Sequence, residues 1–133
     1  MFKNILLISF IMISGKVFAD EFSKDDVNRW QKEFEVAAQD GRKLWTNDGK
    51  VKLGTNGVAC AQCHPNAANT HPETYPKFQK QMGKVVYLTA MINWCIRNPL
   101  EGKSLELDSN EMNALLAYIY SERKGVKLAP GKH

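Results

Sequence analysis

The chain has 133 residues, 18 Lys and Arg against 14 Asp and Glu, a formal net charge of +4 at pH 7, and three cysteines. That length supports one small domain rather than two. The basic residues are spread rather than clustered, so nucleic acid is not an indicated partner, although local patches can steer a protein one.

Lys3 precedes an apolar run from Ile5 to Ile13, and Val17-Phe18-Ala19 places modest or small residues at the −3 and −1 positions of a cleavage site. Residues 1–19 therefore read as an export signal cut after Ala19, which predicts a periplasmic protein. An uncleaved anchor is the alternative, but the run falls short of the roughly 20 residues of a membrane span. No second apolar stretch follows, so stable membrane insertion is not expected. Loss of the leader removes Lys3 and Lys16 and lowers the net charge from +4 to +2.

Ser23 and Asp26 form a capping-box pattern, after which Val27, Trp30, Phe34, Ala37, Gly41 and Leu44 recur at three- and four-residue steps. This predicts a first helix running to about Trp45. Gly41 on that stripe costs about 1 kcal/mol of helix stability relative to alanine. Close approach of another helix is the expected compensation; a helix break near Asp40 is the alternative. Asn47, Asp48, Gly49, Gly54, Asn56 and Gly57 then mark a run of turns.

Next comes Cys60-Ala61-Gln62-Cys63-His64, the C-x-x-C-H spacing that attaches a c-type haem. On a helical turn both thiols face one way and can reach the two vinyl groups of a porphyrin edge. His64 then supplies the proximal imidazole. The expected cofactor is one covalently bound haem c. A zinc site would need further ligands from His71, Cys95 or His133, and a dithiol pair would want a βαβ surround.

Pro65, Asn66, Asn69, Pro72 and Pro76 describe a loop around the haem edge, with Tyr75 and Phe78 as packing groups. A carbonyl of this loop is expected to accept the second N–H of His64. A middle helix is predicted from about Lys84 to Asn98, stopped by Pro99, with Val85, Leu88, Ile92 and Cys95 on one stripe. The last helix is predicted to open at Asp108, with Glu111 reaching back, and to carry Met112, Leu115, Leu116 and Ile119 inward to near Arg123. Residues 126–133 read as a flexible tail.

Three to four helices around one covalently attached haem, with no convincing strand, describe an all-α, cytochrome c-like fold over residues 20–125. In that fold the first and last helices cross. Gly41 with Leu44-Trp45, and Leu116 with Tyr120, are the candidates for the crossing, by resemblance to the G-x-x-L-aromatic pattern preceding the motif in this class. The opposite axial position is open to Met82, Met91, Met112, Cys95 or His71. Methionines are also common gap-fillers in cores.

The stretches from Ile92 to Leu105, Leu107 to Met112 and Ala114 to Ile119, together with Gly57 to His64 and Tyr75-Pro76-Lys77-Phe78, resemble the cytochrome domain of the thiosulfate dehydrogenases and of the A subunit of the Sox sulfur-oxidising complex. The resemblance covers most of residues 41–120. It implies Cys60 and Cys63 as haem attachment points, His64 as proximal ligand and Cys95 as distal ligand to the iron. Arg97 and Lys103 could then hold a sulfur oxyanion, or be solvated surface charges. The dehydrogenases carry a second haem domain and the Sox A subunit works with a partner cytochrome, whereas this chain has one motif and a shorter loop between His64 and Tyr75.

The expected function is that of an exported monohaem c-type cytochrome passing single electrons in thiosulfate or sulfite oxidation. It would serve as a carrier or as the haem subunit of a sulfur-oxyanion dehydrogenase. Its partners would be redox proteins, among them a dehydrogenase subunit or a second cytochrome. The alternatives are a catalytic thiosulfate-oxidising subunit acting through Cys95, and a haem-based binder of gases.

Overall fold

In the computed structural model, which describes residues 22–132, Ser23 opens helix α1 (Lys24–Thr46) with the reciprocal cap expected of it. Its Oγ accepts from the Asp26 N–H at 3.1 Å, and the Asp26 carboxylate accepts from the Ser23 N–H at 3.3 Å. The export signal expected at residues 1–19 and the terminal His133 lie outside the described residues.

Helix α1 passes through Gly41 without a break and ends at Asn47, whose φ of 62° closes it in a left-handed cap. The reason for the glycine is the backbone of the last helix, α4 (Asn110–Glu122). A Cβ on Gly41 would overlap the Ala114 carbonyl and lie 2.8 Å from the Tyr118 Cβ. The crossing therefore uses Ala114 and Tyr118 rather than the expected Leu116 and Tyr120. Two residues turn a helix by about 200°, so the neighbouring pair presents a different face; Leu116 is half-buried and Tyr120 is 46% exposed.

The stripe of α1 is buried only in its later part, at Gly41 and Trp45. Val27, Trp30 and Phe34, expected in the core, remain exposed. The cap of α4 also shifts by one residue from Asp108. Ser109 Oγ accepts from the Met112 N–H at 3.2 Å, whereas the Asp108 carbonyl accepts from the Asn113 side chain at 3.3 Å.

Between the crossing helices lie the short helical turn α2 (Cys60–Cys63) and the helix α3 (Leu88–Arg97). Residues 84–86, read from the sequence as the start of a helix, instead form a strand. β1 (Lys77–Gln79) and β2 (Lys84–Val86) pair antiparallel, Lys77 with Val86 and Gln79 with Lys84, around a turn that contains Gly83 at φ 65°. The β-branched pair Val85-Val86 suits the extended backbone, so α3 begins only at Leu88.

Ile96, Met112, Leu115 and Ile119 are fully buried and pack with Trp45, Leu53, Leu88, Ile92, Leu100 and Tyr118 in one core. The chain leaving α3 is fastened to it by Asn93. That buried amide donates to the Leu105 carbonyl at 2.9 Å and accepts from the Leu105 N–H at 2.8 Å. Gly102 is needed where this segment passes Leu53, since a Cβ there would overlap the Leu53 carbonyl.

The segment after α4, expected to be loose, turns back onto the loop before β1. The Ala129 N–H donates to the Glu73 carbonyl at 2.8 Å, and the Gly131 N–H donates to Thr74 at 2.9 Å and Pro76 at 3.1 Å. The same loop is tied to α4 by Arg123, whose guanidinium lies 3.2 Å from the Glu73 carboxylate. Burial pushes that carboxyl up, but hydrogen bonds from its own backbone, His71 and Arg123 outweigh burial and hold it below its ordinary 4.5. No helix among the described residues is long and apolar enough to cross a membrane.

Gly41→Ala should destabilise the fold by about 1–3 kcal/mol or more, the range of overpacked interiors, measured by urea unfolding. Glu73→Gln should lower the melting temperature at neutral pH. Because the folded carboxyl titrates below its ordinary value, its contribution is present above 4.5 and fades as pH falls through the folded value. The gap to the wild type should therefore close in acid.

Candidate haem cavity

The motif turn is built by local capping. The Gln62 side chain accepts from the Ala59 N–H at 3.1 Å, the Asn56 side chain accepts from the Val58 N–H at 3.1 Å, and the His64 N–H closes the turn on the Cys60 carbonyl at 2.9 Å. Tertiary structure then fixes its end. The Trp45 indole N–H donates to the His64 carbonyl at 2.9 Å, while the same indole packs against Tyr118 with ring centroids 5.8 Å apart.

The His64 ring is oriented from the loop that follows. Its Nδ1 lies 2.9 Å from the Ala68 carbonyl. A carbonyl only accepts, so Nδ1 carries the proton and Nε2 keeps its lone pair for a metal. This is the loop carbonyl the sequence called for without identifying it. The backbone around it is tight: Asn66, Ala67, Asn69 and His71 all take positive φ, and Ala67 is fully buried at φ 54°.

Cys60, Cys63, His64 and Cys95 line one cavity of about 420 Å³, within the roughly 300–1,000 Å³ that cofactor pockets occupy. Its other walls are mostly apolar, from Trp45, Val58, Leu88, Ile92, Leu100, Leu115 and Ile119. Cys95 reaches it because α3 buries Leu88, Ile92 and Ile96 on adjoining positions of one face. Burial, with the neighbouring Cys95 adding to it, pushes the Cys60 thiol up to about 12. Burial also raises the Cys95 thiol, with Cys63 adding to the effect. A thiolate here needs a positive charge in the cavity, and a ferric centre carries one. Two thiols on one turn, an imidazole with Nε2 available and a further sulfur on the same largely apolar cavity fit a c-type haem.

Of the other candidates for the distal position, Met91 lines the cavity, but its sulfur accepts from the Gln81 amide at 3.6 Å. Met112 is buried in the core, and Met82 and His71 do not line the cavity; the His71 ring N–H instead donates to Glu73 at 3.1 Å. Arg97 and Lys103 lie outside it too, Arg97 being exposed and donating to Ser104 at 2.6 Å. The polar lining comes instead from Asn69 and Thr70 and from Tyr75, Lys77, Gln79 and Gln81, and the alternation of the last four along the chain is the signal that the sequence reading passed over. A larger depression of about 820 Å³, between α1 and the start of α4, is lined by charged side chains such as Arg29, Glu33 and Glu111 together with apolar ones such as Val36, Leu44 and Val51, and holds no cysteine or histidine.

Residues 40–128 match the family described as the SoxA/TsdA cytochrome c domain. A thiosulfate dehydrogenase of Psychrobacter arcticus is 32% identical over 72 residues, covering 48% of this chain and 22% of its own. Another from Allochromatium vinosum is 30% identical over 83 residues, covering 53% and 31%. The SoxA subunit of the L-cysteine S-thiosulfotransferase of Rhodovulum sulfidophilum is 28% identical over 97 residues, covering 71% and 32%. The chain thus spans less than a third of the length of these relatives. Among solved structures, SoxXA from P. pantotrophus shares the fold with a TM-score of 0.63 at 20% identity, over 76% of this chain and 38% of that one.

Trp45→Phe keeps an aromatic ring against Tyr118 but strands the His64 carbonyl. Urea unfolding should show a loss of about 1–3 kcal/mol, the cost of a buried polar group left without its partner.

Proposed function

Because the chain belongs to the SoxA/TsdA cytochrome c domain family, we propose that it is an exported monohaem c-type cytochrome passing single electrons in periplasmic oxidation of thiosulfate or sulfite. It acts as a carrier or as the haem subunit of a dehydrogenase. The observation that carries this reading is the meeting of Cys60, Cys63, His64 and Cys95 on one apolar cavity.

In this reading Cys60 and Cys63 would hold the haem through thioethers, and His64 Nε2 and the Cys95 sulfur would be the ligands to its iron. Haem supplies, when bound, the one-electron couple of its iron. The remaining work belongs to the chain. The Ala68 carbonyl holds the His64 ring in one tautomer and one orientation, and the Trp45 indole holds the end of the motif turn. A Cys95 thiolate bound to the iron would favour its ferric over its ferrous state and set a lower potential than methionine would.

Export follows the leader read at residues 1–19, with cleavage after Ala19, and the partner is a redox protein. Sulfite or thiosulfate oxidation releases two electrons overall, so a single-haem chain moves them one at a time. A second reading, a catalytic thiosulfate-oxidising subunit dependent on a separate haem partner, is favoured by the presence of Cys95 on the same cavity as polar side chains.

Electron paramagnetic resonance of the oxidised holoprotein should give a low-spin signal of thiolate–imidazole type. Cys95→Gly should abolish that signal and raise the reduction potential; an unchanged spectrum rejects Cys95 ligation. Thiosulfate with ferricyanide should give no turnover from the isolated chain as a carrier; turnover, with the chain alone or once a separate haem partner is added, would support the second reading, and none in either case would remove it. Holoprotein that is colourless after expression in a host competent for cytochrome maturation would overturn the haem reading itself.

A further inference from the structure

The hairpin of β1 and β2 has a face that neither the core nor the cavity uses. Phe78 and Val85 stand opposite each other in the pairing, so their side chains share one side of the ribbon. Tyr87, still in extended backbone, follows Val85 by two positions and falls on that side too. Phe78 is 47% exposed, Val85 64% and Tyr87 70%. The reverse face is occupied: Val86 is buried, and Lys77 and Gln79 line the haem cavity. Phe78 sits between those two, so a molecule resting on it is separated from the cavity by little more than the backbone of β1.

The charge around this patch has one sign. Residues 74–100 contain no Asp or Glu and carry Lys77, Lys80, Lys84 and Arg97. Lys77 lines the cavity, where the carboxylates of a haem would balance it. Lys80 and Lys84 do not line it. Both are exposed at the turn end of the hairpin, and among the described residues no carboxylate pairs with either. The segment after α4 adds to the same sign. Its Gly131 N–H donates to the Pro76 carbonyl at 3.1 Å, which sets the exposed Lys132 beside the root of the hairpin.

Aromatic side chains at the centre and charge at the edge are the composition of a protein docking site. Carboxylates complement a rim of unbalanced ammonium groups, so the partner it fits is acidic. Size narrows the kind of association. The exposed parts of the three side chains amount to on the order of 300 Å². That is well short of the roughly 800 Å² per partner of a stable interface and suits the short-lived encounters of redox proteins.

We propose that the outer face of the hairpin, with Phe78, Val85 and Tyr87 at its centre and Lys80 and Lys84 at its edge, is the docking surface for an acidic one-electron redox protein. The proposal rests on the electron-transfer reading and adds to it where the partner sits and what charge it carries. One electron crosses β1 in each encounter, the donor oxidised and the acceptor reduced by one, and no bond forms or breaks.

The test is stopped-flow reduction of the oxidised holoprotein by a reduced plant-type two-iron ferredoxin, an acidic one-electron donor, followed in the Soret band over a range of sodium chloride concentrations. The second-order rate constant should fall about ten-fold or more between about 0.01 and 0.15 M salt. At low salt Lys80→Glu with Lys84→Glu should slow the reaction about ten-fold or more, whereas Lys80→Arg with Lys84→Arg should stay within about two-fold of the wild type. Phe78→Ser with Tyr87→Ser should slow it several-fold at either salt. Lys32→Glu with Lys50→Glu, exposed lysines on the depression between α1 and α4, changes the net charge equally and should slow it less than about two-fold. In every variant the ferric spectrum and the rate of reduction by dithionite, which needs no docking, should match the wild type.

Equal slowing by the Lys32 and Lys50 pair would overturn the local surface, and wild-type rates after the serine substitutions would overturn its apolar centre. Either result leaves the electron-transfer reading intact, because dithionite still reduces the protein. A wild type that dithionite reduces and ferredoxin does not, at any salt, would overturn the docking surface as a whole. One that dithionite fails to reduce would overturn the electron-transfer reading beneath it.

Discussion

Contact between the backbones of α1 and α4 at Gly41 is the constraint on which the rest of the molecule depends. With no side chain at that position the helices meet at the Ala114 carbonyl, and the next turn of α1 brings Trp45 over Tyr118. From there the indole reaches the His64 carbonyl. A packing requirement between two helices thereby becomes the position of an imidazole. The intrinsic cost of glycine in a helix, about 1 kcal/mol, is small beside what this arrangement positions.

The wall that carries Cys95 is secured differently. Cys95 stands on α3, whose Leu88, Ile92 and Ile96 are buried in the common core, and the chain beyond is held by the paired hydrogen bonds of Asn93 with Leu105. Close passages of Gly54 against Leu100 and of Gly102 against Leu53 lock that returning segment to the turns that precede the motif. The His64 side and the Cys95 side are thus parts of one packed core, and the space between them is defined by both.

What could be read in advance was local. The Ser23–Asp26 cap, the C-x-x-C-H turn and the spacing that puts Cys95 near the buried side of a helix depend on residues within a few positions of one another. Misreadings arose where tertiary contact chooses among equivalent local options. The crossing face of α4 differs from the expected one by two residues, and both faces carry apolar side chains. Val85-Val86 suits a strand or a helix start until Lys77 and Phe78 pair with it. Lys77 and Gln79 look like ordinary surface residues, because nothing nearby in sequence announces the cavity they line. The indole bond from Trp45 to His64 spans 19 positions and has no local signature.

Helix α1 begins at Lys24, whereas the family match begins at residue 40, and no side chain of the helix before Gly41 is buried. Its first turns are held by main-chain hydrogen bonds and by exposed ion pairs such as Arg29 with Asp26, each worth little in water. Fraying from Ser23 inward therefore breaks few tertiary contacts until it reaches the glycine, where further opening dismantles the whole domain. Gly41 consequently divides one continuous helix into two units of cooperativity: an outer part whose amides exchange by local opening, and an inner part whose amides exchange only when the haem cavity itself comes apart.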